Sequence, residues 1–360
     1  MRDVLSVAFA LEQHVGHRTY AENLRQAVDG RTGLDATWIP VTYGADRAGS
    51  RPFGRFQPSV DARREIRSGL RSADADINVF NTQVPAALGG REARSRPYIV
   101  ITDVTPVQYD QMAVGYGHEP DRPGPMRWWK HRVNTQVFAG AARCVGWSSW
   151  AASSIIDDYG VDPDLVSIVP PGVDTETWSP SPDRRPHGRP RILFVGGEFE
   201  RKGGDLLLEA YRTIADRCDL WVVTKSAVPS MDGVHVVDDL GPNDVRLIEL
   251  FRSACVFALP SRAETFGIAA LEAASTGLPV VASRIGGLED IVSDDETGFT
   301  IPVGDVDALA AALTRLVDDE SLQRRMSVAA RQRATERYDA RRNADELIAI
   351  VRESVTARTG

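Results

Sequence analysis

The sequence predicts an α/β protein built from two doubly wound domains, and three observations carry that reading. Short apolar runs alternate with helical patterns from end to end, the mark of βαβ units and parallel sheets. The 360 residues exceed what one ordinary core organises. Between the halves lies a stretch with Pro180, Pro182, Pro186 and Pro190 and little apolar content, which reads as an interdomain linker.

Taken in order, strands are predicted at 5–10, 36–40, 77–81, 98–102, 143–147 and 166–169 in the first half. The second half offers 192–196, 220–224, 234–237, 256–259 and 279–283. The first run contains Ala8-Phe9-Ala10, which mimics a signal-peptidase site. Asp3 ahead of it and an apolar stretch of only about seven residues favour a buried first strand instead. Residues 338–355 are helical by pattern, with no strand to follow. The chain thus divides into an N-terminal domain 1–176, a linker 177–190, a C-terminal domain 191–337 and a closing helix within 338–360.

Composition narrows the function. Hydrophobic residues make up 42% and charged residues 26%, as in globular proteins, and no apolar run approaches the ~18 residues that span a membrane. Cys144, Cys218 and Cys255 are far apart, without metal-ligand spacing, which disfavours a zinc site or disulfide framework and points to a reduced, cytoplasmic setting. The net charge of −8 lies wholly in the C-terminal half, because residues 1–170 hold 19 basic and 19 acidic side chains. A broad basic face for nucleic acid is therefore not expected. Asp74-Ala-Asp76 has the form of a metal-binding D-x-D but precedes a strand as a turn would, so no metal site is assigned to it.

The most informative stretch is P-S-R-A-E-T-F-G-I-A-A-L-E-A-A-S-T-G-L-P-V-V-A-S, residues 260–283. It reads as a loop, a helix with Glu264 at its mouth and Glu272 further along, a glycine stop and a strand. Eight residues of helix would separate the two carboxylates by ~12 Å. Carboxylates that act together on one glycosidic bond stand roughly 5–9.5 Å apart. The pair therefore suits opposite ends of one elongated ligand, such as a nucleotide sugar. The first N–H groups of a helix attract phosphate, and Gly267 has no Cβ to hold a ligand off. The plainer alternative is an amphipathic helix packed on a sheet, with Glu264 as an N-terminal charge and Glu272 on the solvated face.

A second signal is R-I-L-F-V-G-G-E-F-E-R-K-G-G-D-L-L-L-E-A-Y, residues 191–211. A strand ends at Gly196-Gly197, and a charged loop then delivers Arg201 and Lys202 to the strand's carboxyl end. A fixed cation there can neutralise a departing diphosphate. Two solvated loop charges are the alternative.

Together these motifs resemble the C-terminal domain of the retaining family 4 glycosyltransferases, which have the GT-B fold. The segments 149–174 and 285–305 are similar to that family as well. The resemblance implies two Rossmann-like domains facing a cleft, an acceptor-side N-terminal domain, a nucleotide-sugar-binding C-terminal domain, and a last helix that crosses back. It implies that Lys202 binds the donor diphosphate and that Glu264 contacts the transferred sugar. The backbone of Thr265, Phe266, Gly267 and Ile268 would cradle phosphates and sugar, and Glu272 would grip the ribose. Gly196 and Gly197 end the strand. Many members place an arginine where Gly197 stands, and Arg201 is the substitute at hand.

In the N-terminal half, H-V-G-H-R-T-Y (14–20) follows the first strand, where the family keeps a glycine against the donor; Gly16 fits, as would an ordinary turn glycine. Many members carry a histidine after the fourth strand. Here I-V-I-T-D-V-T-P (99–106) puts Thr102 or Asp103 in that neighbourhood, with Asp103 either orienting the acceptor or closing a turn. Arginines 47, 51, 55, 63, 64, 67 and 71, with Ile66 and Leu70 at helical spacing, form one basic stretch. Met126-Arg127-Trp128-Trp129-Lys130-His131-Arg132 forms another. Each suits an anionic lipid surface, an anionic acceptor, or solvated helix faces.

The expected activity is metal-independent, retaining transfer of a sugar from a nucleotide sugar, UDP- or GDP-sugars first, to a hydroxyl acceptor, with no resident cofactor. The catalytic candidates are Lys202, Glu264 and Asp103. A GT-B nucleotide-sugar epimerase and a non-catalytic sugar-nucleotide binding protein are the alternatives.

Overall fold

The computed structural model describes residues 4–44, 57–181 and 188–356. Pro182 and Pro186 of the expected linker, and Arg47, Arg51 and Arg55 of the first basic stretch, lie outside the described residues. The chain forms two compact units. One groups Met1–Ala113, Glu119–Gly172 and Ala340–Gly360; the other groups Val114–His118 with Val173–Asp339.

The first unit holds a parallel sheet of β1 (Leu5–Glu12), β2 (Leu34–Val41), β3 (Ile77–Asn81), β4 (Tyr98–Thr102), β5 (Arg143–Gly146) and β6 (Val166–Ile168). Their order is β2-β1-β3-β4-β5-β6. Every residue of β3 and β4 is buried, as expected of parallel strands covered on both faces. Edge strand β2 instead alternates and tolerates Pro40. Phe9, Phe80, Phe138, Ile66, Ile77 and Ile99 are fully buried, each contributing about 1.5–3 kcal/mol by leaving water. The Gln57–Ser72 helix sinks Ile66 and Leu70, as their spacing predicts, and turns Arg63, Arg64, Arg67 and Arg71 away from that stripe. Asp76 accepts a hydrogen bond from the Ser6 N–H at 2.9 Å, so the D-x-D closes a turn onto β1. The closing helix, Ala340–Thr356, packs in this unit and buries Leu347, Ile348, Ile350 and Val351.

The second unit holds β7 (Arg191–Val195), β8 (Asp219–Val223), β9 (Val234–Val237), β10 (Val256–Leu259), β11 (Val280–Ser283) and β12 (Gly298–Ile301). Their order is β12-β11-β10-β7-β8-β9, all parallel. Counted within the unit this is 3-2-1-4-5-6, the Rossmann order, whose direction reverses between β7 and β10. Each run read as a strand in the sequence is a strand here to within two residues at its ends. β12 was not expected, because G-F-T-I offers no apolar run. Its Gly298 is required by close approach: a Cβ there would lie 1.9 Å from the Val280 carbonyl oxygen.

Candidate functional site

Loops leaving the carboxyl ends of β7 and β10 flank the reversal point of the second sheet, where α/β proteins of this kind bind ligands. The β7 loop runs from Gly196 into the Gly204–Tyr211 helix. Gly203 caps that helix in the left-handed conformation, φ +76°, and a Cβ on it would stand 1.9 Å from the Pro260 carbonyl oxygen. Only glycine fits between the two loops. At Gly196 a Cβ would crowd the Lys202 stem at 3.0 Å, whereas at Gly197 it would meet open space. The glycines thus pin the loop where Lys202 and Arg201 project.

Lys202 Nζ donates to the Glu264 carboxylate, an ion pair whose side chains are 16% and 7% exposed. Arg201 spends its fork within the loops. Nε and Nη2 each donate to Glu198 at 2.9 Å, and Nη1 donates to the Ala263 carbonyl at 2.7 Å. Its guanidinium lies 4.7 Å from the Tyr116 ring centre. The hydrogen bonds from Arg201 hold the Glu198 carboxyl below its ordinary range. Arg262 forms a bidentate pair with Asp205, 2.6 and 2.8 Å, and so ties the β10 loop to the mouth of the Gly204–Tyr211 helix.

The Ile268–Ser275 helix begins later than the sequence suggested. Glu264 lies in the loop four residues before it, so only Glu272 is helical and the helical spacing of the pair does not apply. Gly267 is the N-cap, left-handed at φ +100°, without side-chain capping. Ala270 and Leu271 N–H groups bond back to Gly267 O at 2.9 and 3.2 Å. Those of Ile268 and Ala269 find no protein acceptor among the described residues, which leaves a positive helix mouth next to the Lys202–Glu264 pair. Phe266 is buried and meets Tyr338 edge-on at 6.4 Å. Thr265 offers its carbonyl to the Gly287 N–H at 3.0 Å.

Glu272 is 6% exposed, and burial pushes its carboxyl up to about 8. No hydrogen bond or ion pair to that carboxylate is found among the described residues. A largely buried carboxyl without a partner costs free energy that a ligand's hydroxyls can recover.

In the first unit, Gly16 sits exposed in the first turn of the Val15–Val28 helix. Thr102 ends β4, is fully buried and donates to the Val104 carbonyl at 2.7 Å, which holds the turn that follows the strand. Asp103 is 4% exposed and faces His17 Nε2 at 3.6 Å. The second unit therefore collects Lys202, Glu264, Arg201 and the 265–268 backbone, while Asp103 belongs to the first.

With this geometry in place, likenesses to known proteins become informative. A family model described as Glycosyltransferase Family 4 matches residues 20–177, and one described as Glycosyl transferases group 1 matches residues 189–319. A D-inositol 3-phosphate glycosyltransferase from Acidothermus cellulolyticus is 34% identical over 359 aligned residues, spanning 84% of this chain and 78% of that protein. This chain belongs to glycosyltransferase family 4. Among other family 4 relatives, the D-inositol 3-phosphate glycosyltransferases of Paenarthrobacter aurescens and Saccharomonospora viridis are 31% and 33% identical over 66% and 62% of this chain. The chain spans 63% and 58% of the length of those two curated relatives. The GT-B fold is shared with sucrose-phosphate synthase of Thermosynechococcus elongatus, at TM-score 0.82 and 18% identity over 98% of this chain and 100% of that one. Anabaena HepE, solved with UDP and glucose, gives TM-score 0.72 and 15% identity over 96% and 99%.

Several residues that shape this family 4 site escaped the sequence reading. Gly286, φ +57°, would put a Cβ 2.0 Å from the Glu264 carbonyl oxygen, so the glycine pair after β11 seats the Glu264 loop. The G-G after a strand was its only signal. Gly115 approaches Ala263 so closely that a Cβ would lie 2.4 Å from the Ala263 Cβ, and it precedes Tyr116 beneath Arg201. Nothing local in 114–118 announces that contact.

Proposed function

We propose that this chain transfers a sugar from a nucleoside-diphosphate sugar to a hydroxyl acceptor, with retention of configuration at the sugar's C1. The observation that carries this is the Lys202–Glu264 pair at the β7/β10 reversal point, beside a helix mouth with unbonded N–H groups. When a donor enters, its diphosphate takes the Lys202 ammonium and the free N–H groups. Glu264, released from Lys202, accepts from the sugar hydroxyls, and Glu272 accepts from the ribose hydroxyls. The C1–O bond to phosphate breaks as the acceptor oxygen bonds to C1 on the same face, and the acceptor proton goes to the departing phosphate oxygen. The residues thus orient the reactants and stabilise developing charge. Arg201 acts through the loop it holds, since Glu198 and the Ala263 carbonyl already occupy its fork.

UDP-sugars stand first among donors because HepE, of the same fold, was solved with UDP and with UDP-glucose. The name of the relatives makes D-inositol 3-phosphate the first acceptor to offer. The test is incubation of the full chain with UDP- or GDP-sugars and that acceptor, followed by NMR of the product's anomeric coupling. A product with the donor's anomeric configuration supports the reading; an inverted product, or a changed donor sugar without acceptor, contradicts it.

A peripheral membrane contact on the cytoplasmic side is the finer reading for the Pro125–Ala139 helix. Met126, Trp128 and Trp129 are 61%, 63% and 55% exposed there, beside Arg127, Lys130 and Arg132 and with no acidic residue in the helix. Aromatic and cationic side chains on one helix suit an anionic lipid surface. Flotation with phosphatidylglycerol vesicles, lost on replacing both tryptophans by serine, tests it.

A further inference from the structure

The second unit takes in one short segment, Val114–His118, from far earlier in the chain than the rest of it. The Gly117 N–H donates to the Val114 carbonyl at 3.3 Å, which closes this segment into a turn. At the base of the turn Gly115 packs on the fully buried Ala263, with no room for a Cβ between them. The next residue, Tyr116, is half-buried and places its ring 4.7 Å from the Arg201 guanidinium carbon. That lies within the ~6 Å over which a cation and an aromatic face attract. The Arg201 side chain is only 10% exposed, and such contacts strengthen as water is excluded. A guanidinium stacked on a ring keeps its fork free to donate in its own plane.

Arg201 passes this restraint to the residue before Glu264. Glu198 holds two arms of the fork, and the third, Nη1, donates to the Ala263 carbonyl at 2.7 Å. On the other side of Glu264 the backbone is seated by glycines. Its carbonyl rests against Gly286, and the Thr265 carbonyl accepts from the Gly287 N–H at 3.0 Å. The main chain is thus gripped before and after Glu264. The carboxylate has one more restraint, the Lys202 ammonium. In the proposed function Lys202 turns to the diphosphate at the step when Glu264 must meet the sugar hydroxyls. The aim of the carboxylate then depends on the grip on its backbone.

We propose that Tyr116 is a positioning residue for the sugar end of the donor site: its ring fixes Arg201, and Arg201 fixes the Ala263–Glu264 peptide so that the released Glu264 carboxylate meets the transferred sugar. This rests on the transferase reading above, which the experiment examines separately. A ring that only stabilised the loop would matter equally for every ligand. A ring that aims Glu264 matters for a nucleotide that carries a sugar and not for one that lacks it. UDP draws on Lys202 and the helix mouth, and gains nothing from the direction of the carboxylate. UDP-glucose adds sugar hydroxyls, whose bonds to a charged acceptor are strong only when well aligned.

The test compares Tyr116→Phe, which keeps the ring, with Tyr116→Leu, which removes it, in the full chain, with thermal melting to show that each folds. Titration calorimetry reads the Kd of UDP and of UDP-glucose. Tyr116→Leu should leave UDP within about twofold and weaken UDP-glucose about tenfold, the scale of one hydrogen bond to a charged group. Tyr116→Phe should keep both within about twofold. Equal loss of both ligands in Tyr116→Leu, no loss of UDP-glucose, or the same loss in Tyr116→Phe overturns the proposal. A second measurement needs no nucleotide. In Lys202→Ala the ammonium is gone, as it is when drawn to phosphate, so adding Tyr116→Leu should speed amide hydrogen exchange across 263–267 at least about fivefold, and adding Tyr116→Phe should not. Exchange unchanged by Tyr116→Leu also overturns it. Failure of the transferase reading appears instead as a wild type that neither UDP nor UDP-glucose stabilises, and the exchange measurement then judges Tyr116 without it.

Discussion

Lys202 reaches across the reversal point of the second sheet and closes an ion pair with Glu264. In the proposed function each charge stands in for a ligand group the other lacks: the ammonium for phosphate, and the carboxylate for hydroxyls. The pair keeps two nearly buried charges compensated in the free protein. Removing one partner therefore has two separable effects.

Lys202→Ala should lower turnover by about 10²–10³, the loss expected when a fixed group that stabilises developing charge is removed. It should also destabilise the free protein by roughly 1–3 kcal/mol, because the nearly buried Glu264 is left uncompensated. Adding Glu264→Gln should restore most of the melting temperature and none of the activity. Calorimetry of the single and double variants, beside steady-state rates, checks both parts.

Glu272 makes a prediction with a definite pH sign. Burial raises its carboxyl from 4.5 to about 8. Between those values the native state keeps a proton that the unfolded chain releases. The associated stability is fully present below the unfolded value and is lost as pH rises through about 8. Glu272→Gln should therefore raise the melting temperature of the ligand-free protein by a few degrees more at pH 8 than at pH 5. Glu272→Leu, in contrast, should weaken nucleotide binding about tenfold or more, since the ribose hydroxyls lose their acceptor. Melting curves at both pH values and a UDP titration separate the two outcomes.

Gly203 and Gly197 should respond oppositely to a side chain. Gly203→Ala sets a Cβ against the Pro260 carbonyl in a left-handed backbone and should cost roughly 3 kcal/mol or more. Gly197→Arg enters open space, should change stability by less than about 0.5 kcal/mol, and should tighten diphosphate binding several-fold by adding a forked cation. Chemical denaturation and nucleotide titration read these directly.

The sheets were legible because parallel strands buried on both faces must be short and apolar, as Val256–Leu259 and Tyr98–Thr102 are. Gly298–Ile301 was not, because its requirement is room beside Val280 and no local apolar run reports that. The loops after β7 and β10 were legible through Lys202, Glu264 and their glycines, whose chemistry and turn geometry are local. What seats those loops was hidden. Gly286 under Glu264 and Tyr116 beneath Arg201 are contacts between distant parts of the chain, with no periodicity to announce them. The contacts of His17 with Asn81 and Asp103 likewise form only when β1, β3 and β4 come together.

The most direct test of the central claim is a thermal-shift titration of the full chain with UDP, GDP and ADP, repeated on Lys202→Ala. A nucleotide at about 100 times its Kd should stabilise the native state by about 2.7 kcal/mol, a rise on the order of 5 °C, and Lys202→Ala should abolish most of that shift. No shift with any of the three diphosphates, or an equal shift in the variant, would contradict the assignment of Lys202 and Glu264 to a nucleotide-sugar donor.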